Sequence, residues 1–394
     1  MKIVKIQDLH ADGGWRNFSF LKLVTDDGLV GWSEYAETSW SPGLTAIIRR
    51  LGEQVIGKDP RGWARIGADL RALTRMAPGG LADQAIAAIE NACLDIAGKA
   101  AGVPVHALFG GPVRDRLPLY WSHCGTFRAS GPELFEKMIG GSGVRSLDDI
   151  RQLGADVAAK GYSALKTNPI VFDGKTPRLL NPGFRPGLEL GRNGDPRTFE
   201  AIAQQLAAFR AGAGDDVELL LDVNFGFSCE ALRQLAQRLE PLSLFWLEAD
   251  VHGPAALAEV RRATRTPIAS LESIYRLKGF LPYFEAAACD VAIVDVVWNG
   301  LPESLKIAAT AEAFEVNVAP HNFYGHIASL ISAHFAAVVP NLRIVEYEVD
   351  DVPWKDELVT HPPVIEAGQM RVPDRPGWGA DVNEEALKAH PPRG

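Results

Sequence analysis

Short alternating runs of apolar and polar residues open the chain and then give way to helical spacing. Residues 26–28 (Asp-Asp-Gly) separate two of these runs and predict a hairpin turn. Residues 81–101 carry apolar positions at helical spacing and end at Gly102, which predicts a long helix. The strand-like runs are residues 1–10, 18–25 and 29–35. We therefore predict an α+β unit over about the first 115 residues.

From residue 118 onward, short apolar segments alternate with amphipathic helical segments. The segments that predict strands are residues 119–124, 164–168, 218–224, 244–250, 267–272, 291–296, 316–322 and 343–348. Those that predict helices are residues 147–160, 197–211, 230–239, 254–263, 302–314 and 326–339. Eight strands with helices between them predict a (β/α)₈ barrel, and a doubly wound open sheet is the competing α/β fold. No Gly-x-Gly-x-x-Gly sequence follows any of these strands, which weakens the open-sheet alternative.

Composition narrows the class of protein. The chain has 394 residues, 47% of them hydrophobic and 23% charged, which is typical of a globular protein with a large core. A net charge of −9 and the lack of a basic run argue against nucleic acid as a partner. No apolar run is long enough to span a membrane, and the N-terminus lacks a signal-peptide core. Four cysteines without metal or disulfide spacing predict a reducing cytoplasm: Cys93, Cys124, Cys229 and Cys289.

Three acidic residues each follow an apolar strand segment, about 25 residues apart. They are Asp222, Glu248 and Glu272. The C-terminal ends of successive barrel strands meet at one face, so we expect these carboxylates to converge there. One acid after a strand is more often a helix cap or a salt-bridge partner. Three in register repel one another unless a cation lies between them, and oxygen ligands favour Mg²⁺ before Mn²⁺ or Ca²⁺.

A second group of strand-end residues predicts acid/base chemistry. Asp295 and His321 end the sixth and seventh strand segments, and a carboxylate beside a histidine fixes its tautomer and raises its basicity. Lys166 ends the second segment, where it could pair with a substrate carboxylate or be an ordinary rim charge. Glu346 ends the eighth and could hydrogen-bond an oxyanion if protonated, or form a rim salt bridge.

Several short sequences carry a family resemblance. They are residues 88–99 (AIENACLDIAGK), 102–105 (GVPV) and 108–111 (LFGG), together with the three acids. With them, nearly the whole chain resembles the mandelate racemase branch of the enolase superfamily, the mandelate racemase/muconate lactonizing enzyme family. The resemblance implies an α+β capping domain over residues 1–115, a modified (β/α)₈ TIM-type barrel over 116–349, and a C-terminal segment, 350–394, that returns to the capping domain.

Two irregular segments are expected to cover the barrel mouth. The resemblance implies that residues 13–18 close the site, and residues 169–196 form a long Pro-, Gly- and Arg-rich loop of the kind that is usually functional. The residues in these segments expected to contact substrate are Trp15, Arg16, Arg192 and Asn193. No internal repeat is evident.

The resemblance also implies the chemistry. A divalent ion stabilises the enediolate formed when a base removes the proton beside a substrate carboxylate. In the family that the chain resembles, racemases carry Lys-x-Lys on the second strand. This chain has Lys166-Thr167-Asn168 there, and asparagine cannot accept a proton. His321 is then the base of an acid-sugar dehydratase, which would expel the 3-hydroxyl and give a 2-keto-3-deoxy acid.

The acid that expels the hydroxyl is left open by the sequence. Some relatives carry a histidine where this chain has Asn224, so His321 itself is the economical choice, with His123 and Tyr120 in reserve. Asn168, Asn224 and Trp298 are expected at the substrate. The alternatives are a racemase or epimerase of a 2-hydroxy acid, or a non-catalytic barrel that binds sugar acids. A homo-oligomer with a small carboxylic acid substrate is expected.

Overall fold

A three-stranded antiparallel sheet and three helices form the N-terminal part of the protein. The structure is a computed structural model that describes residues 1–172, 174, 176–180 and 193–393. The elements are β1 (Ile3–Asp12), β2 (Asn17–Thr25), β3 (Val30–Tyr35), α1 (Leu44–Gly52), α2 (Trp63–Leu73) and α3 (Gly80–Ala101). A Cβ on Gly31 would lie 2.2 Å from the Ala92 carbonyl oxygen, so only glycine lets β3 pack this closely on α3. The predicted hairpin and long helix are confirmed.

Eight parallel strands follow and form the barrel. They are β4 (Arg116–Trp121), β5 (Ala164–Thr167), β8 (Glu218–Asp222), β9 (Trp246–Glu248), β10 (Ile268–Ser270), β11 (Val291–Asp295), β12 (Asn317–His321) and β13 (Val345–Tyr347). Two short strands, β6 (Ile170–Val171) and β7 (Arg178–Leu179), form a separate hairpin. Neighbouring strands pair in chain order, β13 pairs with β4, and a bridge between Val318 and Leu342 completes the closure.

Helices surround this barrel on the outside. They are α4 (Thr126–Ser130), α5 (Pro132–Ile139), α6 (Leu147–Ala159), α7 (Pro196–Ala213), α8 (Cys229–Leu239), α9 (Pro254–Arg262), α10 (Arg276–Glu285), α11 (Val296–Asn299), α12 (Leu301–Ala313) and α13 (His326–Val338). The six predicted helices are present, whereas α10 was not predicted because Gly279 and Pro282 interrupt its pattern. None of the described helices has the length and apolar character needed to cross a membrane.

The first barrel strand ends earlier than its sequence predicts. The prediction covers residues 119–124, but β4 stops at Trp121. The chain then turns, because His123 and Gly125 both adopt left-handed backbone conformations with φ of 47° and 82°. This turn places His123 at the C-terminal end of the barrel instead of inside the strand.

The C-terminal segment runs back along the barrel to the N-terminal domain. Its elements are β14 (Ile365–Glu366), β15 (Gln369–Arg371) and α14 (Glu384–Ala389), and β15 pairs antiparallel with β4. Asp95 of α3 joins three parts of the fold, since it accepts the backbone N–H groups of Trp32 and Trp378 and pairs with Lys99. The architecture is thus a TIM-type barrel with an α+β capping domain that the tail completes; the exact domain bounds stay a prediction.

A buried carboxylate holds the capping domain against the barrel. Glu34 of β3 accepts the backbone N–H groups of Gly325 and Ala328, at the first turn of α13. A Cβ on residue 325 would lie 2.6 Å from Glu34 Oε1, so this helix start accepts no side chain. Because α13 follows β12 directly, this contact fixes the capping domain over the C-terminal ends of the strands.

Candidate active site

Four carboxylates, three of them buried and Glu272 partly exposed, stand at the C-terminal ends of three adjacent strands. Asp222 ends β8, Glu248 ends β9, and Glu272 lies two residues after β10. The fourth, Asp250, was not predicted, although its position two residues after Glu248 places both side chains on the same side of the chain. Asp250 accepts hydrogen bonds from Ser270 Oγ and the Leu271 N–H, both at 3.3 Å, and its carboxyl group lies near that of Glu272.

Burial and mutual repulsion both act on this group. Burial raises the pKa of Glu248 to about 8, with Asp222 adding to the rise and Lys166 opposing it. Burial and the charge of Asp222 raise the pKa of Asp250 to about 6. Burial and the charge of Asp250 raise the pKa of Glu272 well above its ordinary value. These carboxylates are therefore costly to ionise together without a cation beside them.

The donor set fits a hard divalent cation, although the side chains are not yet arranged around one. In the described ranges, no group of three or more acidic, histidine or cysteine side chains is placed to hold a metal ion as it stands. Glu248 instead faces Lys166 and the Trp246 indole, and Glu272 faces His321. Carboxylate oxygens are the ligands that Mg²⁺ prefers, and a cation would remove the repulsion among them.

Lys166 lies among three carboxylates. Its Nζ is 3.1 Å from Glu346 Oε1, 3.2 Å from Glu248 Oε2 and 3.9 Å from Asp222 Oδ2. Burial alone would lower the pKa of Lys166, but these carboxylates raise it well above its ordinary value, so the group stays an ammonium. Burial would raise the pKa of Glu346, yet the charges of Lys166 and His321 hold it far below its ordinary value. Glu346 is thus ionised, which favours the salt-bridge alternative of the two predicted, although the residue is buried and not at the rim.

His321 is held by Asp295 as predicted for an acid/base pair. Its Nδ1 lies 2.6 Å from Asp295 Oδ2, and Asp295 is itself held by Tyr324 Oη and the Trp298 N–H. Asp295 thereby keeps the proton on Nδ1 and leaves Nε2 toward Glu272, 3.5 Å away. Burial would lower the pKa of His321, but Glu272 and Asp295 raise it to about 10. A cation bound by Glu272 would offset the first of these two contributions and bring the pKa of His321 down toward that of a base.

The predicted substrate residues of the barrel differ in what they already contact. Trp298 stands with its ring centroid 5.4 Å from that of His321, and its buried Nε1 has no hydrogen-bond partner in the described part of the chain. Asn168 Nδ2 donates to the Asp222 carbonyl, and Asn224 donates through Nδ2 and its backbone N–H to the Asp222 carboxylate. Trp298 is therefore free to donate to a ligand, whereas the two asparagines orient Asp222.

Residues of the capping loop lie at the barrel mouth. Trp15 stacks on Phe127 with ring centroids 4.9 Å apart. Arg16 donates to the carbonyl of Phe323, two residues after His321, and through Nη2 to Asp351 at 2.6 Å. Both terminal nitrogens of Arg16 are thus engaged within the protein. Asn193 is exposed, and Arg192 lies outside the described residues.

A second histidine–carboxylate pair lies beside this site. His123 Nδ1 is 2.7 Å from Glu348 Oε2, and the Glu348 carboxylate is fully buried. The sequence offered His123 only as a further candidate for the acid that expels the hydroxyl, and it did not point to Glu348. The signal was its spacing, since Glu348 lies two residues after Glu346 on the same segment.

Comparison with known proteins identifies the family. Residues 149–386 match the family pattern described as Enolase C-terminal domain-like, and residues 14–110 match Mandelate racemase / muconate lactonizing enzyme, N-terminal domain. The chain belongs to this family of the enolase superfamily. The resemblance seen in the sequence and the predicted fold class are thereby confirmed. Since the superfamily is one of enzymes, the prediction of an enzyme is confirmed as well.

Family relatives of named activity cover nearly the whole chain. A D-xylonate dehydratase of Haloferax volcanii is 29% identical over 99% of this chain and 89% of its own length. A D-galactonate dehydratase of Cronobacter sakazakii is 30% identical over 99% of this chain and 94% of its own length. A solved structure from Burkholderia xenovorans, a candidate L-alanine-DL-glutamate epimerase bound to magnesium and fumarate, is 45% identical. It has a TM-score of 0.96 and covers 100% of this chain and 96% of that one.

Proposed function

We propose that the protein is a Mg²⁺-dependent hydro-lyase that converts an aldonate-type sugar acid to a 2-keto-3-deoxy acid. The observation that carries this proposal is the buried Asp295–His321 pair, whose second nitrogen, Nε2, faces Glu272 in the carboxylate group. The similarity to D-xylonate and D-galactonate dehydratases supports the aldonate class. A homo-oligomer and a cytoplasmic location stay predictions.

The metal would be held by Asp222, Glu248 and Glu272. Asp250, which lies near Glu272 and accepts the Leu271 N–H, would help to position that ligand. When bound, Mg²⁺ supplies a Lewis acid beside the substrate carboxylate and makes the neighbouring C–H bond more acidic. The magnesium found in the Burkholderia relative supports this assignment.

The chain's own residues perform the proton transfers. His321 Nε2 accepts the proton from C2, and Asp295 stabilises the imidazolium that forms. The Lys166 ammonium stabilises the negative charge that develops on the substrate carboxylate oxygens. Loss of the hydroxyl at C3 then gives an enol, which tautomerises to the 2-keto-3-deoxy acid.

An epimerase is the second candidate, because the 45% identical Burkholderia protein is assigned to that class. Inversion at C2 needs a proton acceptor on each face of the intermediate. Lys166 is held as an ammonium by three carboxylates, and Asn168 cannot accept a proton. The second strand therefore supplies no base, and dehydration is the better supported reaction.

A panel of aldonates in deuterated water tests the proposal. D-Xylonate, D-gluconate and D-galactonate are each incubated with the protein, with Mg²⁺ or with excess chelator, and followed by NMR. A dehydratase yields a 2-keto acid only with Mg²⁺. A C2 epimer that keeps its 3-hydroxyl would instead establish the epimerase, and neither product nor C2 deuteration across the panel would indicate a binding protein.

A further inference from the structure

Beyond the Asp295–His321 pair, the site contains a second imidazole that the proposed reaction has not used. His123 lies at the end of the first barrel strand, two strands around the barrel from His321. Its Nδ1 faces Glu348 at 2.7 Å and Ser122 Oγ at 3.2 Å. Its Nε2 makes no hydrogen bond within the described residues, and 19% of the side chain stays exposed.

The surroundings of His123 place it near the proposed base at the barrel mouth. The ring centroid of Phe323 lies 6.0 Å from that of His123 and 5.2 Å from that of His321. The charges that act on the His123 ring include those of Lys166 and Asp222, both members of the site. The stacked pair of Trp15 and Phe127 covers the other side, since the Phe127 ring is 4.8 Å from His123.

The backbone at His123 is held in an uncommon conformation. Its φ of 47° lies in the left-handed region, which side-chain-bearing residues rarely adopt. Hydrogen bonds on both sides fix it, from the Ser122 N–H to the Tyr347 carbonyl and from the Cys124 N–H to the Lys166 carbonyl. The fold thus fixes the backbone at His123 at the barrel mouth, just beyond the end of the strand.

We infer that His123, held by Glu348, is the general acid that protonates the departing 3-hydroxyl, while His321 removes the α-proton. This inference rests on the proposed function and replaces the expectation that His321 performs both transfers. Burial lowers the pKa of His123 to about 4 and raises the pKa of Glu348 well above its ordinary value. In the state that we infer, Glu348 is protonated and donates its proton in a hydrogen bond to Nδ1 of His123. The neutral imidazole then carries its own proton on Nε2.

The proton balance of the step is complete. The C2–H bond breaks and its proton passes to His321 Nε2, while the electron pair of the intermediate forms the C2–C3 double bond. The C3–O bond breaks as the Nε2–H proton of His123 joins the leaving oxygen, so water departs. Glu348 then passes its proton to Nδ1 of His123. The enol loses its O–H proton to solvent, from which the pair is reprotonated, and His321 returns a proton to C3.

A leaving-group comparison tests this role. The aldonate that the wild type dehydrates fastest is compared with its 3-deoxy-3-fluoro derivative, because fluoride departs without being protonated. The variant His123→Asn tolerates the left-handed backbone and keeps a donor near Glu348 but lacks the acid at Nε2. We expect it to lose water elimination by at least 100-fold, with fluoride release and C2 deuterium exchange within about 5-fold of wild type. Glu348→Gln, which cannot pass on a proton, should show the same selective loss to a smaller extent.

His326→Asn is the matched control, since His326 is another buried histidine paired with a carboxylate, Asp356 at 2.6 Å. It should leave all three rates within about 3-fold. Equal losses of water and fluoride elimination in His123→Asn would make His123 a positioning residue and overturn the inference, as would unchanged dehydration. If the wild type dehydrates no aldonate, or inverts C2 instead, the proposed function itself fails and this inference with it.

Discussion

Asp95 in the capping domain and Glu248 in the barrel are both buried carboxylates beside a lysine, yet their surroundings differ. Asp95 has Lys99 at 2.6 Å and two backbone N–H donors; burial raises its pKa to about 6, whereas Lys99 and the two N–H groups oppose the rise. Glu248 shares Lys166 with Glu346, and neighbouring carboxylates add to the effect of burial on its pKa. The junction of cap and tail satisfies its charges internally, whereas the barrel mouth leaves negative charge for a ligand to neutralise.

Two tryptophans, one at the mouth and one at the junction, differ in how their polar atoms are satisfied. Trp298 Nε1 and Glu348 Oε1 are buried at the mouth without partners in the described part of the chain. At the junction, Trp378 donates both its backbone N–H and its Nε1–H, to Asp95 and to the Trp32 carbonyl. Buried polar groups without partners are costly, so the two unpaired atoms at the mouth are ones that a bound substrate could satisfy.

The largest effect is expected where the barrel mouth loses its base. His321→Asn should lower dehydration and C2 deuterium exchange by about 10⁴-fold, because no other group in the proposed mechanism accepts the α-proton. The free energy of unfolding should change little. Turnover and exchange are measured by NMR in deuterated water, and stability by urea unfolding. Exchange that persists at a tenth of the wild-type rate would contradict the one-base assignment.

The junction should respond in the opposite way. Asp95→Asn removes the buried one of the two carboxylates that hold Lys99 and leaves only the half-exposed Asp381 of this pair. It should lower the free energy of unfolding by about 3–5 kcal/mol, while activity per folded molecule is kept. The control is Asp69→Asn, the same change in an exposed ion pair with Lys58, for which a loss below about 1 kcal/mol is expected. Similar losses in the two variants would show that the junction is not the stronger anchor.

Mg²⁺ should stabilise the protein by binding at the barrel mouth. At a Mg²⁺ concentration 100 times its dissociation constant, the free energy of unfolding should rise by about 2.7 kcal/mol, and Asp222→Asn should remove this increment. Glu366→Gln, a change in an exposed acid of the tail, should retain it. An increment that survives in Asp222→Asn would place the ion elsewhere.

The smallest predicted effect concerns pH at the junction. His334 Nδ1 accepts the His106 N–H and its other nitrogen faces the Trp378 carbonyl; burial lowers its pKa to about 3. The unfolded chain therefore binds up to one more proton than the folded protein below about pH 6.5, so the free energy of unfolding decreases as the pH is lowered. At pH 5 this group alone should cost about 2 kcal/mol relative to pH 8.

His334→Gln keeps one acceptor and one donor at this position but cannot take up the proton. Urea unfolding at pH 8 and pH 5 should therefore show a drop in stability about 2 kcal/mol smaller than in the wild type. An unchanged drop would mean that other groups govern the acid response.

A residue of the site could be predicted from the sequence when its position depends on its own segment, and not when its role depends on side chains far away in the chain. The strand ends that carry Asp222, Glu248, Asp295 and His321 could be located because each lies at the end of a local apolar run. Asp250 and Glu348 lie just beyond such ends, and their roles depend on side chains of neighbouring strands. Helix α10 was missed for a local reason, since Gly279 and Pro282 lower helix propensity and only packing compensates.

What the sequence by itself determined is the order of strands and helices and the placement of the acids and the Asp295–His321 pair one βα unit apart. These are properties of short segments, because the periodicity of side chains is set by the backbone within each element. Only the tertiary structure decided that Glu34 accepts the N–H groups at the start of a barrel helix, that Glu346 is ionised beside Lys166, and that His123 contacts Glu348. Each of these contacts joins residues more than 150 positions apart, and barrel closure brings them together.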